Sequence, residues 1–202
     1  LCRDETGYHN LCYLVSAAFE RGFYGKPRID WPLLREHAEG LICLSGCVAG
    51  DIPRAILRGD YEAAKARAVE LQALFGEGNF YLELQNHRMT DEARVRAALL
   101  RIHRETGIPL AATNDVHYIK KQDAYDQDLL CIQTGQTLDS PDRLRFPNDG
   151  FYLKSEAEMR ALFDEYPDAV ENTQRIADRC RFDFTFGHYH LPRFLLPEGE
   201  TD

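Results

Sequence analysis

The sequence predicts an α/β fold on a mainly parallel sheet, followed by a helical C-terminal extension. Three observations carry this. Helix and strand signals alternate between residues 7 and 112, the order that sets strands side by side with helices between them. The strand candidates at 41–44, 80–84 and 109–112 are short apolar runs bounded by turn residues, as buried parallel strands are. Each run then breaks abruptly into polar residues, at 45–47, 85–87 and 114–117. With right-handed crossovers these ends share one rim of the sheet, the place where such folds keep their chemistry.

The elements follow in order. Leu11, Leu14, Val15, Ala18 and Phe19 repeat at the 3–4 spacing of an amphipathic helix over 7–21, closed by Gly22. After a loop at 23–30, Asp30 caps a short helix over 31–37. The strand at 41–44 runs into a turn bracketed by Gly46 and Gly50, and a helix resumes over 52–57. Gly59 ends that helix, and Asp60 caps the next, over 61–75. Beyond Gly76 and Gly78, alternating bulky residues predict the strand at 80–84, and a helix over 91–106 leads through Gly107 to the third strand. Residues 121–133 read as helix, with Ala124, Leu129, Leu130 and Ile132 near one face, and 134–150 as a long polar loop. Unstructured loops of that length serve function or linkage. Ser155 and Glu158 form a capping box for a helix to about residue 164, and another helix follows over 167–180. Phe182, Phe184 and Phe186 alternate as in a strand leading to a further domain.

Composition narrows the function. The 202 residues are 44% hydrophobic and 28% charged, ordinary for a globular chain with a real core. A net charge of −9 argues against gripping a nucleic-acid backbone with this chain alone, and suits the holding of cations. No signal-peptide pattern or bilayer-length apolar run is present, so the expected location is the cytoplasm. Six scattered cysteines without a CxxC pair read as reduced thiols. No P-loop, dinucleotide fingerprint, nucleophile elbow or two-metal carboxylate cluster occurs. The chain starts at Leu1-Cys2-Arg3-Asp4 without an initiator Met, so it is expected to be a piece of a longer polypeptide.

The rim supplies the candidate site. Asp115 and His117 lie two apart, so in extended backbone both leave the same face. A carboxylate and an imidazole aimed at one point suit a divalent metal. Cys47 and His87 stand at the other two strand ends. The bland readings are an Asp115 that caps the next helix, a His117 packed beside it, and a Cys47 that is only small and buried. His87 reads first as a hydrogen-bonding support for a ligand, then as a ligand or a satisfied loop residue. Glu83 reads as a paired structural carboxylate, and Asp51 as a helix-start charge. His188 and His190, in a Pro-flanked tail, read as packing. Arg143 and Arg145 read as salt-bridge partners of the surrounding Asp139, Asp142 and Asp149.

Several stretches together resemble a known family. GYHNLCYLVSAAFERGFYGKPRIDWPLL, HAEGLICLSGCVAGDIP, FYLELQNH, IPLAATNDVHY and GFYLKSEAEMRALF are similar to the N-terminal polymerase and histidinol phosphatase (PHP) domain of bacterial replicative DNA polymerase III alpha subunits. The resemblance implies a partial, distorted (β/α)7 barrel with metals at its rim. It makes Cys47, Asp115 and His117 metal ligands, supported by His87 and Asn114, with zinc or manganese as the metal. It divides the chain into the C-terminal half of the PHP domain (1–134) and a loop and helical segment toward the polymerase core (135–202). The early His-x-His ligands are then expected before Leu1, and the polymerase aspartates with their magnesium beyond Asp202.

The implied parent activity is DNA-directed DNA synthesis, a nucleotidyl transfer. The PHP part acts either as a metal-dependent 3′–5′ exonuclease or as a scaffold for the proofreading subunit. Implied partners are primer–template DNA, deoxynucleotides, and proofreading and sliding-clamp subunits, with no membrane. Holding half the ligands, the chain alone is expected to lack nuclease activity. The alternative is a free-standing PHP-family metal-dependent phosphoesterase.

Overall fold

The computed structural model describes residues 1–143, 145–189 and 191. The elements are α1 (Glu5–Glu20), α2 (Trp31–Glu36), β1 (Cys43–Leu44), α3 (Asp51–Leu57), α4 (Tyr61–Phe75), β2 (Phe80–Leu84), α5 (Thr90–Thr106), β3 (Leu110–Ala112), α6 (Ala124–Leu129), α7 (Glu156–Leu162) and α8 (Pro167–Arg179). Local chemistry explains four of the helix starts. The side chains of Asp4, Asp30 and Asp60 accept from Gly7, Leu33 and Ala63, satisfying N–H groups that have no partner within the helix. Ser155 and Glu158 close the expected capping box on α7.

The strands form a parallel sheet in the order β1-β2-β3, with Cys43 opposite Phe80 and Leu82 opposite Leu110. Side chains alternate across it. Phe80, Leu82, Leu84, Leu110 and Ala112 enter the main core with Ile52, Ala64, Leu99, Ile102 and Phe163. Tyr81 and Ala111 turn to the other face, where Ile42 and Ile176 form a smaller cluster. The two outer strands are finished differently. Beside β3 lies α8, whose Asn172 amide donates to Leu110 O at 2.8 Å. Beside β1 lies an apolar groove of about 610 Å³, walled by Leu11, Val15 and Phe19 of α1 and by Ile29.

The structure bears out α/β with a parallel sheet, but the described strands form an open sheet of three. Three local expectations change. Residues 182–186 are not a strand. Phe182 instead stacks on Tyr8 at 4.7 Å, Phe184 packs edge-on against both, and Phe186 is 91% exposed. Residues 121–134 are not one helix: 3-10 turns at Lys121–Asp123 and Leu130–Thr134 flank the six-residue α6. Gly22 does not close α1 through a left-handed turn. It lets the chain pass close to itself, since a Cβ there would lie 1.9 Å from Arg28 O. His190 lies outside the described residues.

Candidate functional site

All three C-terminal strand ends meet at one edge, as parallel pairing requires. The β1 exit begins at Ser45, whose N–H donates to Tyr81 O (3.0 Å) and whose hydroxyl accepts from Glu83 N–H (2.8 Å). Gly46 follows with φ +79, a left-handed conformation open to glycine. A Cβ on Gly50 would sit 2.5 Å from Ser45 O, so the turn closes tightly on itself. Cys47, half-buried, lines a cavity of about 10 Å³ with Glu83, Gln85 and Glu92. That is room for a single water.

The β2 exit holds the most buried polar group of the rim. His87 is 3% exposed, and both its ring nitrogens are engaged. Nδ1 faces Glu92 Oε1 at 2.5 Å, and Nε2 faces the Asn114 carbonyl at 2.8 Å. A carbonyl only accepts, so Nε2 carries a proton, and a second proton lies between Nδ1 and the carboxylate. The backbone N–H of His87 donates to Glu92 Oε2 at 2.6 Å. Burial opposes the charge on Glu92, yet the hydrogen bonds from His87 outweigh it and hold the carboxyl below its ordinary range. His87 therefore supports the rim and has no lone pair left for a metal.

The β3 exit is shaped by the chain from Phe146 to Lys154, which lies across it as a strap. Asn114 is buried, and its amide donates to Gly150 O (3.1 Å) and Tyr152 O (2.6 Å). Its side-chain oxygen accepts from Lys154 Nζ at 2.9 Å, and burial lowers the pKa of that ammonium. The His117 N–H donates to Phe151 O (2.8 Å), Tyr118 pairs with Tyr152 in a parallel bridge, and Phe151 stacks on His87 at 3.9 Å. Asp115 has φ +42, an uncommon conformation for a residue with a Cβ. His117 lies at the surface, its Nδ1 at 2.7 Å from Asp115 O and its ring against Phe146.

Cys47 thus leaves the β1 side, Asp115 and His117 leave the β3 side, and β2 stands between them. The backbones of outer strands in such an order are about 10 Å apart. Among the described residues no three His, Cys, Asp or Glu groups are arranged to hold a metal.

Sequence reasoning placed the rim and read His87 and Asn114 as supports. It missed Glu92, which no pattern marks because helix-start acids are common. It also missed the strap. It expected Glu83 to be paired, and the structure gives it three donors: Gly46 N–H at 3.0 Å, the Gln85 amide at 3.2 Å, and the Thr113 hydroxyl. The signal was available, because alternation sets Glu83 with Tyr81 on the face opposite the main core. Arg143 does form an ion pair, but with Asp128, through two nitrogens at 3.0 and 2.9 Å.

The PHP domain family matches residues 1–87. Over its whole length the chain is 46% identical to a DNA polymerase III subunit alpha of Thermus aquaticus, spanning 17% of that protein. It is 46% identical to the subunit of Treponema pallidum and 40% identical to that of Mycobacterium tuberculosis, covering 98% of this chain and 17% of the relative in each case. The chain therefore spans about one sixth of the length of these relatives. No helix among the described residues is long and apolar enough to cross a membrane. The chain is thus similar to a segment of DNA polymerase III alpha subunits, and its residues 1–87 match the PHP domain family.

Proposed function

We propose that this chain serves as the PHP-domain segment of a replicative DNA polymerase alpha subunit, acting in the cytoplasm in DNA-directed DNA synthesis. In this reading residues 1–134 are the C-terminal half of a distorted (β/α)7 barrel and 135–202 lead toward the polymerase core. The rim contributes Cys47, Asp115 and His117 to a zinc or manganese centre completed by donors outside this chain. The polymerase magnesium site also lies elsewhere, and primer–template, deoxynucleotides, and proofreading and sliding-clamp subunits are partners of the whole protein.

One observation carries the reading. Over 98–100% of its length the chain is 40–46% identical to DNA polymerase III alpha subunits of three different bacteria. What this chain's own residues contribute is placement: the His87–Glu92 pair and Asn114 fix the backbone that presents Asp115 and His117.

Primer extension and 3′ trimming by the product of the complete reading frame test the proposal. The expected result is extension that survives Asp115→Ala, with any metal-dependent trimming lost in that variant. Trimming by the 202-residue chain alone, abolished by Asp115→Ala, would overturn the shared-site reading.

A second reading, a scaffold that docks the proofreading subunit without chemistry of its own, draws support from the lack of a three-donor group among the described residues. Metal analysis of the purified complete protein separates the two, because a scaffold retains neither zinc nor manganese.

A further inference from the structure

We infer that Glu83 is the positioning residue that couples the two turns carrying the candidate donors. This rests on the proposed reading that Cys47, Asp115 and His117 act together. The carboxylate stands on the central strand, between the exits of β1 and β3. Its Oε2 accepts from Gly46 N–H, one residue before Cys47, at 3.0 Å. Its Oε1 accepts from the hydroxyl of Thr113, two residues before Asp115, and from the Gln85 amide at 3.2 Å.

The same residue's N–H donates to Ser45 Oγ at 2.8 Å, so Glu83 holds the β1 exit through backbone and side chain together. Among the described residues no Lys, Arg or His forms an ion pair with it. A half-buried carboxylate served by neutral donors from three strand ends ties those ends to one another through charge-assisted hydrogen bonds. Carboxylate geometry suits this task because both oxygens accept. A glutamine in its place presents one acceptor and one NH2: with its oxygen kept on Gly46 N–H, its NH2 meets the Gln85 amide donor against donor, and the Thr113 hydroxyl must turn round to accept.

Amide hydrogen exchange on the 202-residue chain, read by NMR for wild type, Glu83→Gln and Thr113→Val, tests the coupling. Glu83→Gln is expected to accelerate exchange roughly tenfold at residues 46–47 and also at 114–117. The amides of Leu99 and Ile102, in the core helix α5, should keep their rates. Thr113→Val leaves Gly46 its acceptor but frees the carboxylate to swing, so exchange at residues 46–47 is expected to rise there too. This second variant keeps the test valid if Glu83→Gln fails to fold.

Uniform acceleration across the core would mean that Glu83 is merely structural. Loosening of one turn while the other keeps its rates would equally overturn the inference. The exchange pattern is read without metal, so it stands apart from the metal reading, which fails if the dialysed complete protein retains neither zinc nor manganese. Where both hold, Glu83→Gln weakens metal retention by the complete protein about 10–100-fold.

Discussion

The β2 and β3 exits look alike in sequence and differ in what they do. Each is an apolar run that turns polar and reaches a histidine within a few residues: Leu84-Gln85-Asn86-His87 and Ala112 through His117. His87 is enclosed, with both nitrogens bonded and a phenylalanine on its face. His117 is exposed, with one nitrogen turned to its own turn and the other without a hydrogen bond among the described residues. A histidine at a strand end is thus not a ligand by position alone. What decides is whether a lone pair remains after the protein's own hydrogen bonds are counted.

The harshest way to break the contrast is His87→Leu. It takes the ring away from Oε1 of the Glu92 carboxylate, 3% exposed, leaving that group the backbone N–H of residue 87, and removes the donor to the Asn114 carbonyl. Breaking a buried charged pair by deleting one partner costs about 3–5 kcal/mol, and urea unfolding should show a loss of that size. A loss under about 1 kcal/mol would mean that the pair does not lock the rim.

Next comes Asn114→Ala, which removes the donors to Gly150 and Tyr152 and the acceptor of Lys154. The released groups lie nearer solvent, so the expected cost is smaller, about 2 kcal/mol by urea titration. The accompanying sign is local: NMR signals of Phe151 and Tyr152 should broaden or shift more than those of α4.

A third test is acid. Glu92 has a folded-state pKa below its ordinary value, and Glu158, bonded by the Tyr152 hydroxyl and by Ser155, is held at about 2. For a depressed carboxyl the stabilisation is complete above the unfolded pKa and is lost as pH falls through the folded one. The contacts of Tyr152 with Glu158 should therefore persist at neutral pH and fail between 4.5 and about 2. A pH titration of the Tyr152 ring signals followed into acid checks this, and Glu158→Gln should flatten it.

The sequence displayed the helices and strands well wherever chemistry is local. Asp60 with the following fifteen helical residues, and Ser155 with Glu158, are written in neighbouring positions. The rim itself was legible because parallel strands share an edge. The contacts that shape it were not, because they join residues far apart in the chain: Asn148 to His87 across 61 positions, and Lys154 to Asn114 across 40. The run of alternating phenylalanines misled for the same reason. Period two needs a neighbouring strand to pair with, and Phe182 found Tyr8 instead.

The smallest expected effect is the one that sharpens the comparison most. His117→Ala removes an exposed ring that touches Phe146 and its own turn, so the 202-residue chain should lose no more than about 0.5 kcal/mol in urea unfolding. The backbone N–H to Phe151 O bond survives the change, which is why the strap should hold. A side chain that costs so little to remove is not kept in place for stability. In the proposed metal reading its use is outward, as a donor to a shared centre. If His117→Ala instead cost as much as Asn114→Ala, the two exits would be alike after all, and His117 would join His87 as a strut of the rim.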